Sequence, residues 1–531
     1  MFDVLIKNGT IVDGSGAAGY KGDLAVRGGK IKMIEASIKA EAALTIDALG
    51  LVVAPGFIDI HRHFDAAIFR DGFGEAEIRQ GITTVLGGNC GLSIMPLPQN
   101  RRDEILRYLR PIIGDLPKSI NFESFSEYIE QAEQLSLPIN IGMHIGSGTT
   151  RMAVMGFEKT SISDADFTSL HMHINEAIDA GAFGVSIGLQ YMPDGKYTED
   201  TLIKALKPMR GRGIPLVAHI RGEGDLLLKS LEEVITVSRA LGVHLHISHL
   251  KAVGRRNWGH FPEKAINLLE TARENGLKIT CDMYPWTAGS TQLSQLLPPE
   301  FSEGGVAQTI ARMKDADARK KCRKILESPQ TYFENVLELV GWENIVITSA
   351  QSDKSIKFLG KSIHEIAGEK GIDPFECFFD LLAENECNVT IINYIASSKD
   401  IETIMKYPHS MIISDSIYQP GGQPHPRRYN TFPKVLAEYV REKKILTVEQ
   451  AIHKFTGAPA DLYKLRGKGI LAAGFDADIV VFDPTRVNSA ADYLNPETMA
   501  TGFDHVFIGG KAANISDNFT GNLSGKLLRK K

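Results

Sequence analysis

The sequence predicts an α/β protein: a (β/α)8 barrel of the TIM type with a small β-sandwich domain built from both chain ends. Three observations lead there. Between about residues 52 and 465, apolar strand-like runs alternate with amphipathic helical stretches, the pattern of a parallel sheet. Eight such runs fit into that length, as a closed barrel requires. The two chain ends read differently, as short strands and turns, and they share that character with each other. The expected division is residues 1–54 plus 466–531 for the sandwich and 55–465 for the barrel, with an insertion at roughly 287–400.

At the start, DVLIKNGTIVDG, DLAVRGGKIKMIE and LTIDALG are β-branched runs broken by Asn-Gly and Gly-Gly. The barrel strands are then GFIDIH, ITTVLGGN, INIGMHI, FGVSIGL, PLVAHI, HLHISHL, KITCDMY and SMIISD. Helical stretches such as DADFTSLHMHINEAIDAGA and LLLKSLEEVITVSRALG lie between them. ENIVITSA and NVTIINYIA compete for strand places. With the charged helical stretch MKDADARKKCRKILE they fall in the insertion. ADIVVFDP and HVFIGGKAANI restore the β-rich character at the end.

Composition excludes several classes. With 43% hydrophobic residues the chain has ample material for a core, so it is not a disordered protein. The 59 basic and 64 acidic residues leave a net charge of −5, which offers no basic field for nucleic acid and no polybasic membrane signal. The apolar runs are too short for a membrane helix, and the N-terminus turns polar after six residues, unlike a secretory signal. The five cysteines are scattered, with no CxxC. A soluble cytoplasmic protein is expected, with homo-oligomerisation left open.

The sharpest chemical signal is Ile60-His61-Arg62-His63-Phe64-Asp65. Residues two apart on a strand share a face, so His61 and His63 converge as chelators for a divalent metal. His171 and His173 have the same spacing in a helical pattern, where it separates them by about 200°. They are expected to play surface and core roles. His244 and His246 sit on a strand with no preceding Pro-Gly turn, and His249 faces the opposite way in an unbroken strand. A strand His-x-His alone is more often structural than ligating. Here further ligand types close other strands: Cys90 in TTVLGGNCG, His219 in PLVAHI, His249 in HLHISHL and Asp415 in MIISD. A barrel assembles its site at those C-terminal ends. Singly, Cys90 would pass as a small core residue and Asp415 as a turn cap; together the six argue for a metal site.

The opening APGFIDIHRHFD, the closing AAGFDADIVVFD and the β-rich ends around a barrel resemble the amidohydrolase superfamily. More narrowly, GGNCGLSIMP, GLQYMPDGKYTED, AHIRGEGD, SHLKAVGRRNWG, DMYPWTAGST and HPRRYNTFPKVL resemble the D-aminoacylases, the N-acyl-D-amino-acid deacylases. The cysteine of GNCG separates these from dihydroorotases and hydantoinases, which usually bridge their metals with a carboxylated lysine. The resemblance implies that Cys90, His219 and His249 hold a tight Zn2+. His61, His63 and Asp415 would form a second, weaker position. Lys251, Tyr191, Tyr284 and Arg427 would bind the substrate carboxylate, for which an Arg fork and an ammonium are apt donors. Spacing alone leaves Arg427 and Arg428 equivalent. Three positions depart from the family pattern: Ser147 where relatives often carry His, Asp194 in place of a common Gly, and Asn430 in place of Gly. They fall in loops expected near the pocket and bear on side-chain preference.

The implied activity is zinc-assisted hydrolysis of N-acyl-D-amino acids, a small-molecule substrate. Asp415 would take the proton of the attacking water and return it to the leaving amine. A cyclic amidase, or a hydrolase of D-dipeptides or ureido acids, uses the same metal logic; Cys90 speaks against the cyclic amidase. A catalytically silent scaffold would normally have lost ligands, and all six positions are filled.

Overall fold

A computed structural model describes residues 1–531. Five strands open the chain: β1 (Phe2–Ile11), β2 (Tyr20–Arg27), β3 (Lys30–Glu35), β4 (Ala42–Asp47) and β5 (Val52–Pro55). Next come β6 (Phe57–Asp59), β7 (Ile82–Gly87), β8 (Asn140–Met143), β9 (Ile145–Gly146), β10 (Val185–Gly188), β11 (Leu216–His219), β12 (Leu245–Ile247) and β13 (Ile279–Met283). Strands β14 (Ala288–Gln292), β15 (Ile345–Ser349) and β16 (Thr390–Tyr394) intervene before β17 (Ser410–Ile412). The chain ends with β18 (Ile479–Phe482), β19 (Phe503–Ile508), β20 (Lys511–Ile515) and β21 (Asn518–Phe519).

The barrel is an all-parallel ring. Strands β6, β7 and β8 form one ladder, and β9, β10, β11, β12, β13 and β17 form another. Only His144 separates β8 from β9, so the two are one strand with a bend that pairs β7 on one side and β10 on the other. The other seam closes just beyond the strand ends. Arg62 bridges Ser416 in parallel, His63 N donates to Ser416 O at 2.9 Å and Asp415 N donates to His61 O at 2.9 Å. Counting β8 and β9 together, eight strands close the ring. Their residues are almost all buried, because helices cover the outside and side chains fill the inside.

The helices follow local signals. Ser163 caps the helix Asp164–Asp179 by accepting from Asp166 N, and Leu227–Leu241 stops at Gly242 in the left-handed region. His171 and His173 lie on the first of these, on the outer layer, where His171 Nε2 meets Lys204 O.

Several expected strands end earlier than their apolar runs. Strand β7 stops at Gly87, three residues before Cys90; β12 stops at Ile247, two before His249; β17 stops at Ile412, three before Asp415. Cys90 (φ 55°), His249 (φ 35°) and Asp415 (φ 52°) are all in the left-handed region, away from the extended backbone of a regular strand. Of the later ligand candidates only His219 is the last residue of its strand.

Strands from both chain ends share one nine-stranded sheet, ordered β21-β20-β19-β18-β5-β1-β2-β3, with β4 on the free stretch of β1. Gly56 turns the chain from this sheet into the barrel; a Cβ there would sit 2.1 Å from Thr83 Oγ1. Asp478 joins the two bodies, accepting from Lys468 Nζ at 2.6 Å, Asn140 Nδ2 at 3.0 Å and Gly509 N at 2.8 Å. The last residues leave the sheet and run against the barrel, where Ile141 N donates to Lys526 O and Leu528 N to Ile141 O.

ENIVITSA and NVTIINYIA supply β15 and β16, which with β14 form a separate antiparallel sheet ordered β14-β16-β15. This sheet and its helices carry an apolar core of their own, distinct from that of the barrel, so they stand as an appendage over it. The helix Ser398–Lys406 packs instead on Phe261–Glu274, in the barrel's outer ring.

Candidate metal centre

Six side chains converge above the C-terminal ends of the barrel strands. The His61-Arg62-His63 segment continues β6, and Arg62 points away from its neighbours. It is fully buried and held by Asp59 at 3.2 Å, Glu77 at 2.6 Å and Tyr418 at 3.2 Å. That anchor fixes the segment and leaves both imidazoles facing inward. Cys90 reaches the same place from the turn after β7. Gly188 admits this turn, since a Cβ there would lie 2.1 Å from Cys90 O. His219 enters from β11, His249 from the turn after β12 and Asp415 from the turn after β17.

The donor atoms form three overlapping groups: His61, His63 and Cys90; Cys90, His219 and His249; His61, His249 and Asp415, each within 4.8 Å. Cys90 Sγ lies 3.2 Å from His61 Nε2 and 3.5 Å from His249 Nε2. His219 Nδ1 lies 2.9 Å from His249 Nε2, and Asp415 Oδ1 lies 3.4 Å from His61 Nε2 and 3.5 Å from His63 Nε2. All six are buried. Four imidazoles, a thiol and a carboxylate are the donor types of zinc. Burying them together without a cation would leave nitrogens crowded against nitrogen and sulfur, so the set fits a metal ion. Cys90, His61 and His249 each belong to two of the three groups.

The electrostatics point the same way. Burial alone would raise the Cys90 thiol, but His61 and hydrogen bonds from His219 and His249 hold it well below its ordinary value. Burial also opposes ionisation of Asp415, and Arg427, His61 and His63 overcome it. The three left-handed residues are a second mark of function. Strain of this kind persists only where the surroundings impose it. Here it falls on three of the six residues of the cluster, Cys90, His249 and Asp415.

The cluster lies in a pocket whose walls include Tyr191, Lys251 and Tyr284. Arg427 meets this cavity through Asp415, with Nη1 2.8 Å from Oδ2, and lies over the Tyr284 ring at 5.0 Å. Arg428 turns outward over the Tyr418 ring at 4.3 Å, so the structure separates the two arginines that spacing could not. All ten candidate residues from the sequence are therefore in one place.

Three further residues belong here. Glu223 is buried; its Oε1 lies 2.9 Å from His249 Nδ1 and 2.6 Å from Lys251 Nζ. Burial disfavours its charge, yet Lys251, His249 and His219 drive its pKa below the usual carboxylate range. Asp282 stands behind the other side of the cluster, with Oδ2 3.4 Å from His61 Nδ1 and 2.9 Å from His246 Nε2, and its other oxygen accepts from His249 N. Gln190 Oε1 lies 2.8 Å from His219 Nε2. Such partners orient a metal-site imidazole and select its tautomer. Each sits inside a stretch already prominent in the sequence, AHIRGEGD, DMYP or GLQY, but a carboxylate behind a histidine has no spacing rule that finds it.

The three departures do not line the cavity. Ser147 and Asp194 hydrogen-bond each other at 2.6 Å, and Asp194 also accepts from Gly188 N at 3.1 Å. Burial pushes the Asp194 carboxyl up to about 6 against the Ser147 hydrogen bond. The two unusual residues thus answer one another beneath the Cys90 turn. Asn430 faces the other way, donating to Thr498 O at 2.6 Å. All three pack behind the site rather than on its wall.

A (β/α)8 barrel with a His/Cys/Asp metal cluster at its strand ends defines a metal-dependent amidohydrolase. A sequence profile described as "Amidohydrolase family" matches residues 52–280, and a second of the same description matches 359–512. The D-aminoacylase of Alcaligenes xylosoxydans xylosoxydans is 31% identical over 527 residues, covering 99% of this chain and 97% of that one. An N-acyl-D-aspartate deacylase from the same organism is 30% identical, covering 96% and 91%. The crystal structure of N-acyl-D-glutamate deacylase from Bordetella bronchiseptica, complexed with zinc and a phosphonate mimic of the tetrahedral intermediate, superposes with a TM-score of 0.83. It is 27% identical and covers 99% of each chain. The chain belongs to the D-aminoacylase family of the amidohydrolase superfamily.

Proposed function

We propose that this enzyme hydrolyses the amide bond of N-acyl-D-amino acids, releasing a carboxylate and a free D-amino acid, with zinc as its metal. The observation that carries the reading is the six-donor cluster on the wall of a cavity that also presents Lys251, Tyr191 and Tyr284, with Arg427 at Asp415. A metal beside carboxylate-binding groups suits an amide whose neighbouring carbon bears a carboxylate.

His61, His63, Cys90, His219, His249 and Asp415 would hold the zinc, tightly at Cys90, His219 and His249 and more weakly at His61, His63 and Asp415. When bound, zinc supplies Lewis acidity: it polarises an amide carbonyl and lowers the pKa of water toward about 7. Asp415 holds the moving proton on a carboxylate oxygen, taking it from the attacking water and delivering it to the departing amine nitrogen. Arg427 and Lys251 orient the substrate carboxylate, and the hydroxyls of Tyr191 and Tyr284 add donors without adding charge. With the carboxylate fixed on one side and the carbonyl over the cluster, the configuration at the α-carbon decides whether the amide can reach. Five free, buried cysteines suit a reducing compartment, and we place the enzyme in the cytoplasm.

The test is metal content of the purified protein together with turnover of paired N-acetyl-D- and N-acetyl-L-amino acids. One to two zinc per chain with D-selective acetate release is the expected result. Bound zinc with no turnover of either enantiomer would overturn the substrate assignment and leave the metal centre standing.

A further inference from the structure

Glu223 stands behind His249, and its own loop is held from far away in the chain. Glu334 belongs to the appendage, flanked by Phe333 and Val336 of that body's apolar core. It is buried, and its carboxylate reaches the loop that presents Glu223. Oε2 accepts from Gly224 N at 2.7 Å and from Leu226 N at 3.3 Å, and Oε1 accepts from Asp225 N at 3.2 Å. Three successive amides turned toward one carboxylate form an anion nest. They are also free donors ahead of the helix Leu227–Leu241, which leaves them without partners inside that helix. Gly222 admits the close approach, since a Cβ there would lie 2.6 Å from Glu334 Oε2.

Glu223 sits between Gly222 and Gly224, so the residues on both sides of it are pressed against Glu334. Its own carbonyl is tied as well, accepting from Val253 N at 2.8 Å. From this held backbone the Glu223 carboxylate meets His249 Nδ1 at 2.9 Å and Lys251 Nζ at 2.6 Å. A continuous set of contacts therefore runs from the appendage to an imidazole of the metal cluster. A second tie between the same two bodies is of another kind. Arg256 pairs with Asp225 and, at 2.8 Å, with Glu338 Oε1 of the appendage, and all three side chains are about half exposed. Water screens such a bridge. Glu334 is shut away from water, and its loss would leave three amides without their acceptor.

We infer that Glu334 is a positioning residue for the metal centre: through it the appendage sets the Glu223 loop and, by way of Glu223, the His249 imidazole. This role rests on the metal reading above and not on the choice of substrate, so zinc affinity tests it independently of turnover. The affinity of the full-length protein is measured by chelator competition in a double-mutant cycle of Glu334→Ala and Glu223→Gln. Glu334→Ala alone is expected to weaken zinc binding by about 10-fold, the low end of what the partners of a ligating imidazole contribute. The double variant is expected to match Glu223→Gln within about twofold, because the first change acts through the second residue. Wild-type affinity in Glu334→Ala overturns the inference. So do losses that multiply in the double variant, which is what a general loosening of the appendage would give. Glu334→Gln keeps the size of the side chain and one acceptor oxygen, and it replaces Glu334→Ala in the cycle should truncation prevent folding. It is expected to bind zinc about threefold more weakly, with that loss again absorbed by Glu223→Gln, and the same two outcomes overturn the inference. Glu338→Gln cuts the exposed tie and should stay within about twofold of wild-type affinity; a loss as large as that of Glu334→Ala would overturn the specific role of Glu334. A wild-type protein that binds no zinc overturns the metal reading, and this role with it, whereas zinc binding without deacylation leaves the role open to the same cycle and removes only the substrate.

Discussion

Two strands of this barrel carry His-x-His, and the two meet different fates. His61 and His63 lie two and four residues beyond the last residue of β6, where their ring nitrogens reach Cys90 and Asp415. His246 lies inside β12 and His244 just before it, and their rings meet Thr280 Oγ1 at 2.8 and 3.0 Å, with His246 also on Asp282. The residue types and spacing are identical. Position along the strand differs: above its end a side chain faces the open site, and within it the side chain faces the packed interior. The interior pair is nonetheless tied to the site, because Asp282 links His246 to His61.

Ranked by size, five substitutions break or sharpen that contrast. His61→Ala should lower bound zinc and reduce kcat/KM by roughly 10³-fold or more, read by metal analysis and turnover. Asp415→Asn should keep the tight zinc yet lose about 10²–10⁴-fold in kcat, the range of a proton-transfer group; substantial residual activity would remove Asp415 from the proton role. Glu223→Gln should weaken zinc affinity or activity by roughly 10- to 100-fold, measured by chelator competition, since His249 Nδ1 and Lys251 would lose their shared carboxylate. His246→Gln should cost about 1–3 kcal/mol of stability in a denaturant titration, through the unpaired Asp282 and Thr280, with zinc still bound. If it lowered bound zinc as His61→Ala is expected to, strand position would no longer explain the contrast. His244→Gln, at a partly buried position, should change stability by about 0.5 kcal/mol or less.

The site was legible to an unusual degree because its ligands come in tight local patterns at the ends of apolar runs. His61-Arg62-His63, Cys90, His219, His249 and Asp415 each follow such a run, and a barrel brings those ends together. The apolar runs overstated the strands, however, carrying them through Cys90, His249 and Asp415. A run of buried residues does not reveal where φ turns positive, and all three residues do so. Ser147 and Asp194 read as two separate oddities in the sequence and are one hydrogen-bonded pair in the fold.

By itself, then, the sequence determined the alternation that makes a barrel, the β-rich ends and the donor types at the strand ends, because each depends on neighbours a few residues away. Tertiary structure alone decided that Glu223 stands behind His249 and Asp282 behind His61, and that Arg427 rather than Arg428 meets Asp415. The partners in the two carboxylate contacts are 26 and 221 residues apart in the chain. Only closure of the ring sets such distances, and ion pairs and hydrogen bonds between buried groups depend on distance at the scale of an ångström, which residue order does not encode locally.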